Sequence, residues 1–186
     1  MNITEFLQQQ LGFRPLNKID PNTQQPAKEK QDGFEVSGAL GQAAVPAVLT
    51  AMYKKSRTPE GTEEMMNSTN ATSLLNSLFN NRLEEVVARI SEFAGVSKDD
   101  AVEELERITA TALLLVRKNT NGKVDHNAVS SFLNAQSSNI FPYLPPALHL
   151  GEILKDDTVD DNSNKMQGPM SNLMHNLEKG FSQGKK

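Results

Sequence analysis

An all-α fold is predicted by three features of the sequence. Apolar residues recur at three- and four-residue spacing in one segment after another, and no segment alternates convincingly with period two. Hydrophobic residues make up 37% of the 186, with no Trp, two Tyr and eight Phe, so the core must come mainly from Leu, Val, Ile, Ala and Met. That palette suits packed helices better than a β-sandwich. A chain of this length can bury a sizeable core without disulfides or metals.

In chain order, Ile3, Phe6, Leu7 and Leu11 share one side of a short helix over 4–11, and Gly12 stops it. Gly12 to Gly33 holds Pro15, Pro21, Pro26 and a polar run through Lys30, which predicts a mobile arm or linker. The first strong helix is expected over about 35–56. Val36, Leu40, Ala43, Ala44, Ala47, Val48, Ala51 and Met52 give it one wide apolar face, and Gly38, Gly41 and the alanines keep that face small. Pro46 lacks an N–H and clashes with the preceding turn, so a kink or break is expected between Gln42 and Pro46. Val36–Tyr53 carries no charge and is followed by Lys54-Lys55, which resembles a membrane span with a basic flank. Its Ser37, Gln42, Thr50, two glycines and Pro46 favour a buried helix in a bundle instead.

Short helices follow at Glu60–Asn67, after Pro59, and at about Thr72–Phe79. Leu83, Val86, Val87, Ile90 and Phe93 form a regular stripe over Arg82–Ala94, closed by Gly95. Ser97 is a natural N-cap for a long helix to about Lys118, with Asp99, Asp100, Glu103 and Glu104 at its positive end. Asn121-Gly122 signals a turn, and Asp125 caps a helix to about Ala135. Ile140–Pro146 reads as a bent connection, Ala147–Leu154 as one more short helix carrying His149, and Asp156–Lys165 as an acidic loop. Pro169 opens a last helix, whose apolar stripe is Met170, Leu173, Met174, Leu177 and Phe181.

The segment Val45–Lys55 can be laid on Ile108–Lys118. Each is a small-residue apolar helix that ends in a basic pair and leads into a polar turn. Either a duplication or shared composition explains the match. The organisation expected is therefore a short helix and arm over 1–33, helical units over 34–95 and 96–155, and an acidic loop with an amphipathic helix over 156–186.

Phe93-Ala94-Gly95-Val96-Ser97-Lys98-Asp99-Asp100-Ala101, the apolar helix Ala110–Val116 and the Ile153-Leu154 segment resemble the bacterial YidB-like domain of unknown function. The helix at Gly41–Pro46 resembles a second, variant copy of the same unit. The resemblance covers about two-thirds of the chain and rests on helix-packing patterns, which are moderately specific. It implies an all-helical fold with no assigned activity and transfers no catalytic residue.

The absence of Cys excludes a disulfide framework, a thiolate zinc site and a Cys nucleophile, and fits a reducing cytoplasm. Met1–Leu7 has neither a positive n-region nor a long apolar run, so no secretory signal is expected. A net charge of −4 gives no global attraction to nucleic acid. The basic groups Lys54-Lys55-Arg57 and Arg117-Lys118 fall at helix C-termini, where cations offset the dipole. His126, His149 and His175 lie in three separate segments without metal-ligand spacing, and no G-x-S-x-G elbow, Walker loop or dinucleotide-binding pattern is present. Asp156–Asn164 is the best candidate for calcium, but it lacks the EF-hand order. Catalytic, cofactor and metal residues are accordingly left unassigned.

Two readings remain for function. In the leading one the chain is a non-enzymatic interaction or scaffold protein, self-association included, and the stripe Met170, Leu173, Met174, Leu177 and Phe181 is its candidate partner surface. A terminal helix also commonly packs back on its own domain. The alternative is a ligand-binding protein or enzyme whose site assembles from the His126, His149 and Asp156–Asp161 regions.

Overall fold

The computed structural model describes residues 1–19, 36–156 and 159. Among them every regular element is helical, as expected: α1 (Ile3–Leu11), α2 (Val36–Lys55), α3 (Pro59–Asn67), α4 (Ala71–Leu78), α5 (Leu83–Ala94), α6 (Lys98–Asn119), α7 (His126–Ala135), α8 (Ser137–Ile140) and α9 (Leu150–Leu154). Two 3-10 turns, Phe141–Tyr143 and Pro146–Leu148, link α8 to α9. No helix among the described residues is long and apolar enough to cross a membrane.

Local chemistry sets most boundaries. Asn2 caps α1 through its side-chain oxygen, which accepts from the Thr4 and Glu5 amides, and Gly12 closes the helix at φ 73°. Thr58 caps α3 with Pro59 in its first turn, and Asn70 caps α4. Gly95 ends α5 in the left-handed conformation, which glycine adopts without steric cost. Ser97 accepts from the Asp100 amide at the start of α6 and donates back to the Asp100 carboxylate at 2.6 Å. Asp125 caps α7 through the Asn127 and Ala128 amides.

The core is organised around α2. Ala43, Ala44, Val45, Ala47, Val48, Leu49, Ala51 and Met52 are all fully buried, so the helix is enclosed all round rather than along one apolar face. It packs against α5 and α6 most extensively, and also against α1, α3, α4, α7, α8 and α9. Small side chains on α2 leave room for the larger ones on its neighbours, including Leu74, Leu75 and Phe79 near α4, Ile90 on α5, and Leu105 and Ile108 on α6. Each such large apolar side chain contributes about 1.5–3 kcal/mol when fully buried. Of the kink or break expected between Gln42 and Pro46, the break does not occur: α2 runs as one helix from Val36 to Lys55 with Pro46 inside it.

Three further differences from the sequence reading have physical causes. Residues 13–19, expected to belong to the arm, lie against the bundle. The amide of Gln42 donates to the Asn17 carbonyl at 3.0 Å and to the Tyr143 carbonyl at 2.9 Å, and its oxygen accepts from the Asn17 amide at 2.7 Å. The Ile19 amide donates to the Pro142 carbonyl at 2.8 Å. The helix expected over Ala147–Leu154 is divided, because His149 takes φ 44° and separates the 3-10 turn from α9. Finally, the two segments that align in sequence occupy unlike environments. Ala47 and Ala51 on α2 are buried, whereas their counterparts Ala110 and Leu114 on α6 are exposed.

Two substitutions test these local readings. Ser97→Ala should lower unfolding free energy by about 1 kcal/mol in denaturant titration, the usual worth of an N-cap. Gly61→Ala should destabilise by about 1–3 kcal/mol, the cost of overpacking, although alanine normally favours a helix. A Cβ at Gly61 would lie 2.2 Å from the Lys55 carbonyl oxygen, which is backbone and has nowhere to yield.

Candidate functional site

Each described polar residue singled out in the sequence has partners of its own. His126 opens α7, with Nδ1 3.1 Å from the Thr62 hydroxyl on α3. That hydroxyl is buried and also donates to the Ser56 carbonyl at 3.3 Å, so the contact ties α7 to the α2–α3 turn. His149 is exposed, and its carbonyl accepts from Arg89 on α5 at 2.9 Å. Asp156, read in sequence as the start of an acidic loop, is a buried carboxylate. Lys54 at the end of α2 forms an ion pair with it, and Arg57 reaches the same oxygen at 3.4 Å. Among the described residues no group of three or more His, Asp or Glu side chains is gathered around a common point.

Three carboxylates of α6 have structural partners of their own. Glu104 pairs with Arg107 at 2.9 Å, Glu106 accepts from the Thr72 hydroxyl, and Asp100 completes the cap with Ser97. The basic groups are similarly engaged. Lys55 bonds Glu64 and Ser77, while Arg117 donates to the Met66 and Ser68 carbonyls, both at 2.7 Å.

Two open clefts mark the described surface. One, of about 330 Å³, lies beside α1, with Phe13, Leu16 and Tyr143 on its apolar side and Glu5, Gln8 and Gln9 on its polar side. The Arg107 guanidinium stands 5.8 Å from the Phe13 ring centroid, within cation–π range, and donates to the Leu11 carbonyl. The other, of about 530 Å³, is lined by Asn76, Asn81, Arg82, Glu84, Glu85 and Lys98, with Arg82 and Glu85 already paired at 2.6 Å. Both arrangements offer hydrogen bonds and ordinary packing, and neither aligns a nucleophile with a base.

The residues proposed from sequence as a partner surface, Met170, Leu173, Met174, Leu177 and Phe181, lie outside the described residues, as do His175 and Asp157, Asp160 and Asp161. Sequence reasoning missed the long-range contacts of Gln42, Asn80, Arg82 and Arg89 and the pairing of Lys54 with Asp156. A glutamine inside an otherwise apolar helix was the one visible signal, since a buried amide must find partners. Comparison with protein-family models, curated proteins and solved structures gives no match.

Two exposed carboxyls are shifted by these contacts. Hydrogen bonds from Lys55 and then Ser77 hold the Glu64 carboxyl below its ordinary range, and a hydrogen bond from Arg89 does the same for Glu152. A folded-state pKa below the unfolded value stabilises the protein above the ordinary carboxylate range, and that contribution is lost as pH falls through the folded pKa. The melting temperature should therefore drop on acidification through the carboxylate range. The drop should be shallower in a Glu64→Gln, Glu152→Gln double variant, read by thermal scans across pH.

Proposed function

We propose that the chain is a non-enzymatic protein-interaction module that works in the cytoplasm. In this reading the helical bundle carries the apolar stripe Met170, Leu173, Met174, Leu177 and Phe181 to a protein partner or to a second copy of the chain. The observation that supports it best is the enclosure of α2. Among the described residues, helices lying between Ile3 and Leu154 pack around its buried side chains. Five large apolar residues at three- and four-residue spacing give the chain a further apolar helix face of the kind that docks in a groove. Two of the five are Met, whose unbranched side chains adapt to irregular partner surfaces. The likeness of Phe93–Ala101 and Ala110–Val116 to the YidB-like family belongs with this reading and adds no activity to it.

The test compares the intact chain with a Leu173→Asp, Leu177→Asp variant by affinity capture from native lysate, with melting temperature and sedimentation recorded for both. The expected outcome is a partner, or a self-associated species, that the variant loses while its melting temperature stays unchanged. A large fall in melting temperature, with no partner in either sample, would overturn the proposal and make the stripe part of the core.

A further inference from the structure

The segment Leu148–Asp156 combines a very short helix with a left-handed residue at each end. Its helix, α9, runs only from Leu150 to Leu154, far below the length at which a helix holds itself in water. His149 and Lys155 flank it at φ 44° and 53°, in the left-handed region that residues with a Cβ occupy at a cost. Its underside is apolar, with Leu148, Leu150, Ile153 and Leu154 buried against the bundle.

Its upper edge is gripped by polar side chains from other elements. Arg89 on α5 donates to the Leu148 carbonyl at 2.8 Å and the His149 carbonyl at 2.9 Å, and pairs with Glu152 at 3.0 Å. Arg82, just before α5, donates to the Glu152 carbonyl at 2.9 Å, and Asn80 donates to the Ile153 carbonyl at 3.3 Å. Glu85 pairs with both arginines and fixes their direction. Beyond the helix, Asp156 is held by Lys54 and Arg57.

From this combination we propose that residues 148–156 form a strap that opens as a unit while α2, α5 and α6 stay folded, with Arg89 as its principal latch. Opening releases the backbone strain at His149 and Lys155, and it uncovers the apolar floor together with the Arg82 and Arg89 guanidiniums. The strap is also the covalent connection between the bundle and residues 160–186. Residues 149–156, once extended, reach roughly 25–30 Å. The strap stands on its own contacts, whether or not the stripe at Met170–Phe181 docks on a partner.

Amide hydrogen exchange on the full chain tests the proposal, because local opening and global unfolding give different rates. The reporters are the Lys155 and Asp156 amides, which donate to the Glu152 and Gly151 carbonyls within the segment, against those of Val48 and Leu49 in α2 and Ile108 in α6. The strap amides should exchange ahead of the α2 and α6 amides. The gap should widen by about ten- to a hundredfold in Arg89→Gln, the range for losing charge-assisted hydrogen bonds. Lys55→Gln, which breaks an ion pair outside the strap, should leave the gap unchanged. If Arg89→Gln does not fold, the gap in the unaltered chain should widen as salt is raised to about 1 M, where charge screening acts over about 3 Å. Strap amides that share the exchange rate of α2 and α6, or a gap indifferent to both Arg89→Gln and salt, would overturn it.

Discussion

The burial of α2 on every side is the constraint from which the rest of the arrangement follows. A helix that is apolar around its whole circumference has no face to give to solvent, so it must be surrounded. That demand fixes why α1 and α3–α7 converge on it and why the short elements from α8 to α9 wrap its remaining sides. Alanine at positions 43, 44, 47 and 51 lets the surrounding helices come close enough for their leucines and isoleucines to exclude water. The cost appears where α2 carries polar atoms. Gln42 recovers its hydrogen bonds from Asn17 and Tyr143, whereas the buried Thr50 hydroxyl has no hydrogen-bond partner among the described residues, nor has that of Thr109 on α6.

Once the centre is filled by one helix, the periphery is left with short pieces that cannot satisfy their own ends. The last carbonyls of a helix have no partner within it, and a five-residue helix has little else. Long polar side chains from neighbouring elements supply what is missing. Arg117 covers the end of α3, and Gln136 accepts from the Ile3 amide at the start of α1. Arg82, Arg89 and Asn80 cover the segment around α9. The apolar core and these polar staples therefore do different work: the first collects the helices, and the second orders the segments between them.

The sequence foretells the parts of this structure that depend on neighbours in the chain. Ser97, Asp125, Gly12, Gly95, Pro59 and the Asn121-Gly122 turn act within a few residues, so their chemistry is legible without the fold. The contacts that were not foreseen join residues far apart. Gln42 to Tyr143 and Lys54 to Asp156 each span about a hundred residues, and nothing in the local pattern of an acidic stretch says that one of its carboxylates is buried. His149 shows the same limit from the other side. Its segment carries helical spacing, but tertiary anchoring of the Leu148 and His149 carbonyls by Arg89 accompanies a left-handed residue that breaks the helix.

The basic residues show how a local reading can be sound and still incomplete. Lys54, Lys55 and Arg117 do sit at helix C-termini, where positive charge offsets the dipole. That effect fades within one turn and is worth only about 0.3–1 kcal/mol at an exposed position. Hydrogen bonds to charged groups are worth about 1.5–3 kcal/mol, and two of these side chains make them to a specific distant acceptor: buried Asp156 for Lys54, and the Met66 and Ser68 carbonyls for Arg117. For Lys54 and Arg117 the tertiary contacts therefore outweigh the dipole, whereas the pair of Lys55 with exposed Glu64 is of the same order as it. The same cations that read as dipole compensation in the sequence also pin one helix to the next, which commits them to the fold before any external ligand is considered.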